Sequence, residues 1–132
     1  MEPTDTPDFA AHARRTLALL DEAGCPQAPT REAVAWLDAA LDRSPVSEDA
    51  ADRARGLAPR LDADGIGAVL GEAIAAETGG AWRYHAVQHD WGVRLPSGET
   101  AFPLQRARRH ASGEPGASIL AFHDTATGHD RR

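Results

Sequence analysis

The period of the apolar positions changes once along the chain, near residue 80. Before it the steps are helical. Phe9, Ala13, Leu17 and Leu20 follow one another by four, four and three, with Arg14, Arg15, Asp21 and Glu22 off the stripe. This predicts a first helix from Asp8, with Gly24 at its C-terminal cap and Pro26 and Pro29 preventing continuation. Thr30 is placed to cap a second helix. Glu32 lies in its first turn beside the positive end of the dipole, Val34, Leu37 and Leu41 form its apolar face, and Ser44-Pro45 ends it. Ser47, Glu48 and Asp49 open a further helical stretch carrying Ala50, Ala51, Ala54, Leu57 and Ala58, broken or kinked because Pro59 disfavours helical geometry at the residue before it. A fourth helix is expected from Asp62 or Asp64, presenting Ile66, Val69, Leu70, Ala73 and Ile74 on one side and stopping at Gly79-Gly80. Gly67 and Gly71 share one of its faces. Each costs about 1 kcal/mol against Ala in a helix, so close contact with another element is the expected compensation.

Beyond Gly80 the period falls to two. Within residues 81–87, Trp82, Tyr84 and Ala86 share one face and Arg83, His85 and Val87 the other; Trp91, Val93 and Leu95 are expected inward, with Gly92 and Arg94 outward. Gln88-His89-Asp90 makes one turn and Pro96-Ser97-Gly98 a second, before a third strand over residues 99–102. An antiparallel meander of three strands is marginal alone, so the fourth helix is expected across its apolar face. Pro103 suits the first position of a helix through residues 104–111, closed by Ser112-Gly113, and a last short helix carries Ile119, Leu120 and Phe122. Residues 1–7 and the polar tail from Thr125 are expected to fray. The fold class is α+β: a helical N-terminal layer, a three-stranded antiparallel meander and short C-terminal helices, in one domain.

Composition changes the picture of the core. Hydrophobic residues make up 42% of the 132, but 27 of them are Ala, which favours helix and buries little. Seven aromatics remain, five of them after residue 80. The 14 basic residues are all Arg and stand against 20 Asp and Glu, for a net charge of -6. Residues 1–80 hold seven Arg against 15 acidic groups, a net of -8, whereas residues 81–132 hold seven against five, a net of +2. A net acidic chain repels phosphate backbones overall, although a local basic face can still bind one. The same asymmetry fits two complementary layers of one fold. No run approaches the roughly 18 apolar residues of a membrane span. The acidic start, Met1-Glu2-Pro3-Thr4-Asp5, lacks the order of a secretory signal, and the lone Cys25 can form no internal disulfide. A soluble cytoplasmic protein is expected.

Candidate chemistry is sparse. His85 and His89 flank the first turn, with His110 and His123 elsewhere. Three imidazoles could hold zinc with one open position, and a metalloenzyme centred on His85, His89 and His110 is the least favoured reading: the H-x-x-x-H spacing spans a strand end and a turn, with no general-base Glu. Scattered surface histidines are the simpler account. Arg106, Arg108, Arg109 and His110 form the densest basic run; with Arg83, Arg94 and an outward aromatic they could grip phosphate or single-stranded nucleic acid. No helix-turn-helix, zinc-finger or sheet-aromatic RNA motif accompanies them, and a solvated helix face explains the run equally. Cys25 follows a presumed helix C-terminus, where the dipole raises a thiol pKa, so it is expected to be inert. Ser97 and Ser118 lack a nucleophile-elbow pattern, Gly65-Ile66-Gly67 is too short to cradle phosphate, and Asp62 and Asp64 fit caps and not a calcium loop.

Leu70-Gly71-Glu72, Gly79-Gly80-Ala81-Trp82, the stretch Trp91-Gly92-Val93-Arg94-Leu95-Pro96-Ser97-Gly98, Pro103 and the segment from Ser118 to Phe122 resemble small uncharacterised bacterial α+β domains of unknown function, over about residues 70–122. The resemblance implies a helix ending in glycines, a Trp-led strand, a hairpin and a closing helix pair, and it supplies no catalytic residues. Some relatives of that kind accompany toxin or secretion systems. With no nucleophile set, metal set or phosphate loop, and with acidic charge and aromatics concentrated around one small sheet, the leading expectation is a non-enzymatic protein-interaction module, of accessory or immunity type, with no cofactor, no bound metal and no membrane association. Its contact surface is expected at His89, Trp91, Arg94, Arg106 and Arg109. A nucleic-acid binder using the C-terminal arginines is the alternative.

Overall fold

A computed structural model of the chain describes residues 6–42, 62–111 and 118–129. It contains five helices, α1 (Phe9–Ala18), α2 (Arg31–Asp42), α3 (Ala63–Thr78), α4 (Pro103–Ala111) and α5 (Ile119–Thr127), and three strands, β1 (Ala81–His85), β2 (Asp90–Arg94) and β3 (Thr100–Ala101). The strands form one antiparallel sheet in the order β1-β2-β3, as the α+β reading requires. The Leu41 side chain, the Ser44-Pro45 stop, the helical stretch expected over residues 50–58 and the Ser112-Gly113 closure lie outside what is described.

α3 is the hub, packing against α1, α2, α4 and α5 and touching both long strands. Asp62 caps it by accepting the Gly65 N–H, and Gly79, at φ +75°, ends it in the left-handed conformation that glycine adopts without penalty. Every residue from Gly65 to Gly71 is buried, so this stretch of the helix is enclosed on all sides and not along one stripe as expected, while Ala76 and Glu77 further on are exposed. Its glycines are where neighbours come closest. A Cβ at Gly67 would sit 2.8 Å from the Leu104 Cα of α4, and one at Gly71 would fall inside 3 Å of the Trp82 indole.

Asp8 caps α1 by accepting the Ala11 N–H at 3.0 Å, and Phe9, Ala13, Leu17 and Leu20 are buried as their spacing demands. The regular part of α1 ends earlier than expected. The helix stops at Ala18, and the segment up to Gly24 is a run of turns. Gly24, at φ +94°, closes these turns as expected, with its N–H bonded to the Asp21 carbonyl and the Cys25 N–H to that of Leu20, and the Gln27 amide adds bonds to the Leu17 carbonyl at 2.6 Å and to that of Cys25 at 3.1 Å. At α2 the Thr30 carbonyl accepts the Val34 N–H at 3.0 Å, but the Thr30 hydroxyl turns away toward the Ala28 carbonyl. The last helix runs further than expected. Ser118 caps α5, and that helix continues through Thr127 to a left-handed Gly128, so Thr125 is helical and not frayed.

In the sheet, Trp82 pairs with Val93 and Tyr84 with Trp91, which places all four on the inner face. Val93 is fully buried. Phe9 stacks on Trp82 with centroids 3.8 Å apart and meets Trp91 edge-on at 5.9 Å. The sheet is thus sealed by the first residue of α1 together with α3. The hairpin turn is residues 86–89 and not 88–90, because Asp90 joins β2 opposite His85. Ala86 and Val87 leave the strand, and Val87 stands 80% exposed at the tip. β3 is also shorter than expected, at two residues.

Candidate functional site

The five residues expected to form a contact surface are distributed over several faces. His89 occupies the exposed hairpin turn at φ +51°, a left-handed conformation uncommon outside glycine. Trp91 is half-buried on the inner face, edge-on to Phe9 and Tyr84. Arg94, three residues on, points to the outer face by strand alternation. On α4 the Arg106 guanidinium lies 5.0 Å over the Phe122 ring of α5, and Arg109 is exposed.

The structure brings a different set together on the outer face. Arg83 lies opposite Gly92, and Arg94 lies opposite both Ala81 and Thr100. Arg83 and Arg94 are therefore diagonal neighbours on adjacent strands, a relation that spaces residues by about 7–8 Å. Both are exposed, and neither makes an ion pair among the described residues. Gly92, on the same face, is buried, because the Thr100 methyl and the Phe102 ring occupy the space a Cβ there would need. Toward the hairpin tip the same face is closed by α4. There Arg108 donates to Asp90 at 3.0 Å and to Asp64 at 2.9 Å, and the His85 ring meets Phe102 edge-on at 5.4 Å. Burial works against the Arg108 charge, but the two carboxylates outweigh it and raise its pKa above the ordinary value. Arg108, the middle of the basic run, is thus an internal clamp, while Arg83 and Arg94 are the cations left facing outward on the sheet.

A second cluster went unread in the sequence because its members come from three helices. His123 of α5 is fully buried, and its Nδ1 lies 3.0 Å from Asp124 Oδ1. Arg31 of α2 grips the same Asp124 through two bonds of 2.9 Å. These contacts, led by the Arg31 bonds, hold the Asp124 carboxyl down at about 2. Glu77 of α3 lies 3.7 Å from His123 Nε2 and accepts from His129 at 2.6 Å. With His123 enclosed, the cluster ties α5 to α2 and α3 and offers no imidazole atom of that residue to solvent. Among the described residues, no group of three or more His, Cys, Asp or Glu side chains is placed to hold a metal ion, and His85, His89 and His110 are not brought together as one. Cys25 is buried, and burial pushes its thiol up to about 11. The inertness expected of it has burial as its cause and not a helix end, since α1 stops seven residues earlier.

No family model, curated protein or solved structure matches the chain. No described helix is long and apolar enough to cross a membrane. The functional reading therefore rests on the geometry of the sheet.

Proposed function

We propose that the chain is a non-enzymatic binding module, of accessory type, that holds an acidic segment of a partner protein on the outer face of its sheet. The observation that carries this reading is the Arg83–Arg94 pair: two exposed guanidiniums, diagonal across β1 and β2, lacking intramolecular counter-ions among the described residues. Guanidinium groups bind carboxylates through planar paired hydrogen bonds, and complementary charge supplies specificity and association rate. The inner face is filled by Phe9 and α3, which leaves the outer face for a partner. At a net charge of -6 the chain repels any long polyanion, so the reading is confined to a short segment whose carboxylates sit at the two arginines.

The test is fluorescence anisotropy with a labelled glutamate-rich peptide at low salt. The unmodified chain binds it, and R83E/R94E weakens binding about tenfold or more, the loss expected when more than 1.4 kcal/mol of contact is removed. The control R14E/R15E, on the exposed side of α1, changes it little. Absence of binding, equal loss in both double variants, or tighter binding of an oligonucleotide of the same length overturns the proposal.

A further inference from the structure

We infer that the partner segment docks as an additional strand along the free edge of β1; the inference rests on the outer-face reading above. β1 is paired on one side alone, and among the described residues no backbone hydrogen bond reaches residues 81–85 from outside the hairpin. Proteins usually blunt such edges with proline, shortness or a bulge. The opposite edge follows this rule, since β3 has two residues and runs into Pro103. β1 does not: it has five residues, no proline and a continuous register with β2.

Alternation gives this edge two different tracks. Arg83 stands on the outer side with Arg94 behind it, while Trp82 and Tyr84, both half-buried, stand on the inner side. A strand added here places its own alternate residues on those tracks, one set beside arginine and the other beside aromatic rings. The matching occupant is an extended segment in which Asp or Glu alternates with aliphatic residues. A second copy of this chain fits poorly. Antiparallel pairing of β1 with itself about its centre sets Arg83 directly opposite Arg83, and like charges so placed are destabilising.

The experiment uses the full chain and a labelled acetyl-(Val-Glu)4-amide peptide, read by anisotropy and by amide hydrogen exchange. Binding slows exchange within β1, and R83E/R94E abolishes both effects. Amides of an added strand point alternately toward and away from β1. N-methylation of one alternate set therefore weakens binding by about tenfold or more, while methylation of the other set leaves it within about twofold. A peptide of the same composition with its four Val and four Glu in separate blocks binds more weakly than the alternating one. If both methylated sets bind as the parent does and β1 exchange is unchanged, while R83E/R94E still releases the peptide, strand addition is overturned and the outer-face reading stands. If neither the alternating nor the block peptide binds, the outer-face reading falls and this inference with it. A chain that dimerises on its own with protected β1 amides overturns the inference in favour of self-pairing.

Discussion

Gly67 and Phe9 show what single residues contribute here. In an exposed helix, Gly→Ala gains about 1 kcal/mol. At Gly67 the new methyl would sit 2.8 Å from the Leu104 Cα, a backbone atom that cannot rotate away. G67A is therefore expected to lose stability, by about 1–3 kcal/mol net, in urea titration. The four-residue spacing of Gly67 and Gly71 was legible as a close approach; which elements approach was not, because Leu104 and Trp82 lie far along the chain. Phe9 was legible as buried but not as the lid on the sheet. F9A should cost about 3–5 kcal/mol and shift the emission of Trp82 and Trp91 to the red, because a stacked and an edge-on ring contact are both lost. Cys25, with its thiol at about 11, should resist a thiol-specific disulfide reagent at pH 8 and react at once in denaturant. Rapid labelling of the folded chain contradicts the burial described.

Helices with local stop and start signals were readable, and those closed by distant groups were not. Asp62, Gly79 and Pro103 act within their own segments, and the ends they set match expectation. Gln27 at the end of α1, and Asp38, which accepts from both Ser118 Oγ and the Ile119 N–H at 3.0 Å, act across turns or across most of the chain. α5 outlasted its expected end for the same reason, since His123, Asp124 and His129 are held by Arg31 and Glu77 of other helices. This clasp has a pH signature. Asp124 has a folded-state pKa depressed from 3.8 to about 2, so its contribution to stability is full above pH 4 and is lost as pH falls through about 2. D124N removes that contribution. The stability gap between the parent and D124N, measured by thermal unfolding, should therefore close between about pH 4 and pH 2. A gap that stays constant across that interval contradicts the Arg31–Asp124 pairing.

At the scale of the whole molecule, the layered α+β plan followed from the switch of apolar period near residue 80, because burying one face of a helix and one face of a sheet dictates different spacings. The candidate site was only partly legible. Arg94 was readable as outward, but its partnership with Arg83 depends on strand register, and the run from Arg106 to Arg109 drew attention by density although its central residue is spent on Asp64 and Asp90. Net charge marked an acidic chain and gave no sign that two exposed cations would share one sheet face. That face is the claim on which the functional account turns. The most direct measurement is a two-dimensional amide NMR titration of the full chain with the glutamate-rich peptide. The account predicts shifts concentrated at Ala81, Arg83, Gly92, Arg94 and Thr100, with α1 and α2 unmoved. Shifts confined to the helices, or none at saturating peptide, would contradict it.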